Sequence, residues 1–243
     1  MTDAQEAHES WVRSSSAWIE AIEKGERNRV YLLDAPMLKR EGSVEGHRVL
    51  DVECGEGRFC RMLSDRGAVT IGLDPTPPLL AQARKLHPDG TYVEGKAEAL
   101  PFGDGEFDLA VSYLTLIDIA DFRAAIFEMA RVLRRDGRLI VANLQSFATT
   151  RPFAWYRNER GEKLHVAVEE YFTERATRAE WGGISILYWH RTLEAYMAAF
   201  LEAGFVLRAF EEPRPTLEAV NLYPELKDEH LVPLFYVMEW ERS

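Results

Sequence analysis

From His47 onward, short apolar runs alternate with stretches whose apolar positions recur every three or four residues, the pattern of a mostly parallel sheet wrapped by helices. The first run, 47–53 (HRVLDVE), leads through a glycine-containing turn into a helix over 58–66. Phe59, Met62 and Leu63 mark its inner face, and Gly67 stops it. A second strand is predicted over 68–74 (AVTIGLD). Pro77 or Pro78 then suits the first turn of a helix carrying Leu80, Ala83 and Leu86. Strands over 91–97 and 107–117 follow, the latter apolar enough to be buried on both faces. Phe122, Ile126, Met129 and Leu133 form one helical stripe with Asp121 placed to cap it. Arg134 to Gly137 end that helix, and a fifth strand covers 138–144.

Regularity lapses over 146–190, a length better suited to a functional cap than to an idle loop. An antiparallel pair of 165–172 with 184–190 is expected there. Trp155, Tyr156, Tyr171, Trp181, Tyr188 and Trp189 read equally as an aromatic acceptor pocket or as a satellite core. A helix over 192–204 and strands over 205–213 and 231–241 complete the pattern, the last two as a hairpin with a long link. The N-terminal segment to about Gly25 reads as a helix outside the sheet, with Trp11 and Trp18 on one face. The fold class is therefore α/β: a doubly wound, Rossmann-like, mostly parallel seven-stranded sheet with an antiparallel last strand and a small cap insertion. The expected divisions are a helical lid (1–46), a ligand-binding core (47–145), a cap for the substrate (146–190) and the remainder of the core (191–243).

Charge narrows the partners. With 29 basic and 40 acidic residues the net charge is −11, which repels polyphosphate; no basic face is visible, so no nucleic-acid partner is expected. A cationic small molecule would be tolerated. The two cysteines, Cys54 and Cys60, are too few for a disulfide framework and lack zinc spacing, so no metal site is expected and a reducing, cytoplasmic setting is the default. No run approaches the roughly 18 apolar residues of a membrane span. The acidic, serine-broken N-terminus does not read as a targeting segment.

The informative stretch is VLDVECGEGRF (49–59). Gly55 and Gly57 lack the Cβ that would keep a ligand off the backbone. A dinucleotide turn, G-x-G-x-x-G, needs a third glycine where Cys60 stands, and Glu53 and Glu56 would oppose a pyrophosphate. Acidic groups suit a sulfonium and an α-amino group instead, which favours S-adenosylmethionine (SAM).

D-V-E-C-G-E-G (51–57) resembles the first motif of class I SAM-dependent methyltransferases, commonly D-x-G-x-G-x-G. The resemblance continues through 71–74 (IGLD), 95–102 (GKAEALPF), 107–112 (FDLAVS) and 133–141 (LRRDGRLIV), in the family's order and spacing. The branch it is most similar to is the ubiquinone/menaquinone-biosynthesis-like, or type 11, branch. The resemblance implies a methyl transfer from SAM to an O, N or C atom of a small-molecule acceptor, leaving S-adenosylhomocysteine. It implies that Asp51 and the backbone of Glu53, Cys54, Gly55 and Gly57 hold the methionine end of the donor. Asp74, beside Pro75, would accept the ribose hydroxyls, and Leu79, Ala97 and Glu98 would surround the adenine. Ser112 and Tyr113 would line the pocket. Glu53 departs from the family's glycine, and Lys96 from its frequent aspartate.

His190, at the junction of cap and core, is the candidate general base, with His165 second. Three other readings compete: a degenerate SAM-binding regulatory protein, a nicotinamide-dependent oxidoreductase and a nucleic-acid methyltransferase. The last is disfavoured because Ser112, Tyr113 and Leu114 replace its Asn/Asp-Pro-Pro motif. Oligomeric state is not legible.

Overall fold

A computed structural model describes residues 2–151 and 155–243; residues 152–154 of the expected cap lie outside the described residues. Helix α1 (Asp3–Glu23) opens on a capping box in which Thr2 and Gln5 satisfy each other's backbone donors. It is followed by α2 (Asp34–Glu41), β1 (Arg48–Val52), α3 (Arg58–Ser64), β2 (Val69–Asp74), α4 (Pro77–Leu86) and β3 (Thr91–Glu94). Next come β4 (Phe107–Tyr113), α5 (Phe122–Val132) and β5 (Leu133–Leu144). The prolines stand in the first turn of α4, and Asp121 accepts from Ala124 N–H to cap α5, both as expected.

The cap holds two small hairpins, β6 (Trp155–Arg157) with β7 (Lys163–Val166) and β8 (Arg175–Trp181) with β9 (Ile184–His190). The expected pairing of 165–172 with 184–190 is thus corrected. β9 pairs with the nearer, more polar segment 175–181 across a tight turn at Gly182 and Gly183, both with positive φ. Apolar patterning alone had selected the wrong partner. The chain ends with α6 (Leu193–Glu202), β10 (Phe205–Glu211), α7 (Leu217–Leu222), α8 (Lys227–Leu231) and β11 (Phe235–Arg242).

The sheet has seven strands in the order β3-β2-β1-β4-β5-β11-β10. All neighbours among β1 to β5 run parallel, and β11 runs antiparallel to both β5 and β10. The doubly wound class and the terminal hairpin hold. The segment 134–137, expected to end a helix, instead bulges out of the start of β5, with Asp136 at φ 59°. One face of the sheet packs on α5 and α6, where Trp240 stacks on Phe200 at 4.6 Å. The other packs on α2, α3 and α7.

Chain order reverses between β1 and β4, so the crevice beyond their C-terminal ends is the natural ligand site of such a sheet. α1 roofs that crevice together with β9. Ser10 Oγ accepts from Leu187 N–H, and Ser14 Oγ accepts from Ser185 N–H while donating to Ser185 C=O. No helix among the described residues is long and apolar enough to cross a membrane.

Candidate functional site

At the switch point lies a cleft of about 1090 Å³, counting its open mouth. Its floor is the turn after β1. Gly55 (φ 59°) and Gly57 (φ 73°) adopt the left-handed backbone that glycine takes without strain, and Gly57 N–H donates to Cys54 C=O at 3.1 Å. Asp74, at the end of β2, ties the floor together. Its Oδ2 accepts from Gly55 N–H and its Oδ1 from Thr76 N–H, both at 2.8 Å. Asp51 lies buried at the end of β1 and accepts from the Cys60 thiol at 3.3 Å.

Of the residues expected to bind the donor, Asp51, Glu53, Cys54, Gly55, Asp74, Pro75, Leu79, Glu98 and Tyr113 all line this one cleft, as does Lys96. Three do not. Gly57 sits behind the turn against Tyr92, Ala97 is fully buried, and Ser112 Oγ turns inward to Thr115 Oγ1 at 2.7 Å. Tyr113 presents its ring edge-on to Phe59, and its hydroxyl donates to Asp34 Oδ1 at 2.8 Å.

His190 requires correction. It is fully buried and off the cleft wall, with Nδ1 2.8 Å from Thr149 Oγ1 and Nε2 2.8 Å from Tyr171 C=O. Both ring nitrogens are engaged by the protein, so it cannot reach a substrate proton. His165 stacks on Tyr156 in the β6–β7 hairpin, also outside the cleft. The aromatic pocket expected of the cap reduces to Trp189. Trp181 and Tyr156 face solvent, and Tyr188 is buried with its hydroxyl on Thr149 C=O. The other indoles of the cleft belong to α1: Trp11 and Trp18, edge to face at 5.6 Å.

Glu53 and Leu114 follow directly on β1 and β4, and both are left-handed, at φ 56° and φ 61°. Such a backbone costs a residue with a side chain about 1–2 kcal/mol. The family's glycine at position 53 thus has a physical reason. Glu53→Gly is expected to raise the midpoint of thermal unfolding slightly, and a lowered midpoint would show that the Glu53 side chain contributes more than its backbone costs.

Sequence reasoning missed several residues here. Asp34, on α2, forms a two-armed ion pair with Arg58, one arm 2.9 Å long. Arg29 lies over the rings of Trp18 and Tyr113 at 4.6 and 5.4 Å. His8 and Asp118 also line the cleft. Only Asp118 had a signal: a lone acid inside the apolar run LTLIDIA (114–120).

Four carboxylates of the cleft are held above their ordinary range. Burial pushes Asp51 up to about 7, with Asp74 and Glu56 adding to the push against the Cys60 hydrogen bond. Asp74 is pushed up to about 6 by burial, against its two backbone donors. Glu53 is raised by burial and by the neighbouring charges of Asp74, Glu98 and Asp118. Asp118 is pushed up to about 8 by burial, with the Trp11 indole partly offsetting it. A cleft that holds its carboxylates this far above their ordinary range favours a cationic occupant.

Comparison with known proteins agrees with this geometry. Residues 50–141 match the methyltransferase domain family. An uncharacterized methyltransferase of Synechocystis sp. is 33% identical over 147 residues, 60% of this chain and 66% of that protein. The demethylmenaquinone methyltransferase of Beutenbergia cavernae is 35% identical over 105 residues, 43% of this chain and 44% of its own length. The chain thus spans between about half and two thirds of the length of these curated relatives. The crystal structure of a SAM-dependent methyltransferase from Mesorhizobium loti superposes with a TM-score of 0.76 at 28% identity, covering 86% of this chain and 96% of that one. Residues 50–141 thus carry a methyltransferase domain, set in a fold shared with SAM-dependent methyltransferases.

Proposed function

We propose that the protein transfers a methyl group from SAM to an oxygen, nitrogen or carbon atom of a small-molecule acceptor. The observation that carries this reading is the cleft beyond β1, β2 and β4, where a glycine turn lies open beside the buried carboxylates of Asp51 and Glu53. The donor fits that chemistry. It carries a sulfonium and an ammonium, and Gly55 offers it bare backbone. Glu53, Cys54 and Gly55 would hold its methionine end, with Asp51 beneath them. Asp74 and Glu98 would take its polar sugar and base edges, and Pro75 and Leu79 its flat ring. A pyrophosphate would meet the same carboxylates as like charge, which argues against a nicotinamide cofactor.

The bound donor supplies an already activated methyl group, so alignment and exclusion of water are what the chain must add. α1 and β9 serve as the roof that excludes water, and the net charge of −11 argues against a nucleic-acid acceptor.

Calorimetry with SAM and with NADH tests the proposal: SAM is expected to bind and NADH not. Tight NADH binding without SAM binding would overturn it.

A pH dependence follows from the same carboxylates. The folded-state values of Asp51 and Asp74, about 7 and 6, lie above the ordinary 3.8, so the ligand-free protein is stabilised by their protonation. That contribution is complete below about pH 4 and is lost as the pH rises through 6 to 7. A cationic ligand favours the ionised forms, so binding should expel protons, and affinity should fall as the pH drops from 8 to 6. Release of one proton weakens binding about tenfold per pH unit below the group's free-state value. Calorimetry in two buffers of different ionisation enthalpy reads the proton count directly. Zero release at pH 6.5 would mean that these carboxylates do not face the ligand's charge.

A further inference from the structure

The cleft is longer than its donor half. Beyond the glycine turn it continues between α1 and the loop joining β4 to α5, where His8, Trp11, Trp189 and Asp118 form the wall. Two features of that end have no use within the protein itself. Among the described residues, Asp118 Oδ1 is shielded from solvent and has no hydrogen-bond partner, and His8 Nδ1 is in the same condition. A buried carboxylate oxygen without a donor is costly, and it persists where something else supplies the donor.

Arg29 and Arg191 favour the Asp118 charge through space, but neither donates a hydrogen bond to its Oδ1. Arg58 is committed to Asp34, and Arg29 lies 3.3 Å from Glu26. Arg191 donates to the carbonyls of Leu116, Ile119 and Ala120 at 2.7–2.9 Å. The backbone N–H of Trp189 donates to Ile117 C=O, tying that strand end to the loop that carries Asp118. A carboxylate with one oxygen left without a donor and the Trp11 indole beside it, with Glu53 nearby, matches a group that is both cationic and able to donate hydrogen bonds. Ring faces attract a cation, and the carboxylate accepts its N–H. A carboxylate-bearing acceptor would be repelled by Asp118 and Glu53, and a neutral alcohol would answer only the hydrogen bond.

Resting on the methyltransferase reading above, we propose that this end of the cleft selects an amine: an acceptor whose N–H group pairs with Asp118 while its apolar body lies against Trp11 and Trp189. Asp118 is a specificity-determining residue of the acceptor half.

Three probes sharing one ring test this: 2-phenylethylamine, 2-phenylethanol and 3-phenylpropionate. Each is titrated against the full chain saturated with S-adenosylhomocysteine, following tryptophan fluorescence. The amine is expected to bind at least about tenfold more tightly than the other two, the effect of one well-placed charged hydrogen bond. In Asp118→Asn that preference should fall to about twofold or less, while S-adenosylhomocysteine affinity, which also reports that the variant is folded, stays within about threefold. The inference is overturned if the alcohol or the acid binds as tightly as the amine, if no probe binds to protein that does bind S-adenosylhomocysteine, or if folded Asp118→Asn keeps the full preference. The wild-type ranking decides the matter by itself should the variant not fold. Failure of S-adenosylhomocysteine to bind at all would instead remove the methyltransferase reading on which the inference stands.

Discussion

Gly57→Ala is expected to lower stability by about 2–4 kcal/mol, as the cost of a left-handed alanine adds to that of an overpacked core. Gly57 sits at φ 73°, and a Cβ there would lie 2.7 Å from the Tyr92 ring and hydroxyl. The ring is itself closely held. A Cβ on Gly72 would stand 2.9 Å from it and one on Gly90 2.7 Å, so three glycines form the cradle that Tyr92 fills. Relief must then come from the backbone of the turn, which is also the floor of the cleft. Thermal unfolding should shift down by roughly 5–15 °C for a chain of this size, and SAM binding should weaken alongside it. A midpoint unchanged within about 2 °C would show that Tyr92 can move aside.

Asp74→Ala should weaken SAM binding by about 1.5–3 kcal/mol, or roughly 10–100-fold. Asp74 has one task visible in the structure, and the proposed function adds a second. Its two oxygens already take the N–H groups of Gly55 and Thr76, holding the turn after β1 to the turn after β2. Each oxygen retains capacity for a ligand hydroxyl. The alanine variant therefore loses the ligand contact and leaves two backbone donors without their acceptor. Asp74→Asn keeps one acceptor oxygen and is expected to fall between wild type and alanine. Calorimetric affinity equal to wild type in Asp74→Ala would remove this residue from the site.

Much of this was legible in the sequence because parallel strands buried on both faces leave long apolar runs, as in β4, and because a helix stripe such as that of α5 has a period of its own. The glycine turn and Asp74 were legible for a related reason: residues local in sequence build them. His190 was misread because a histidine at a domain junction looks the same in sequence whether its nitrogens face a substrate or, as here, Thr149 and Tyr171. The N-terminal helix with Trp11 and Trp18 was expected as a lid, whereas His8 and Arg29 join the cleft through α1 and the segment that follows it, a long-range docking with no local signature. The pairing of β9 with β8 depended on two glycines at a turn rather than on hydrophobicity.

The serine seam between α1 and β9 has one more consequence. Because Ser10 and Ser14 bond the hairpin's own backbone, helix and hairpin are a single cover contributed by segments 171 to 177 residues apart in sequence. Neither piece can swing away alone without taking the acceptor from the N–H groups of Ser185 and Leu187. Helix and hairpin are therefore expected to open over the cleft together.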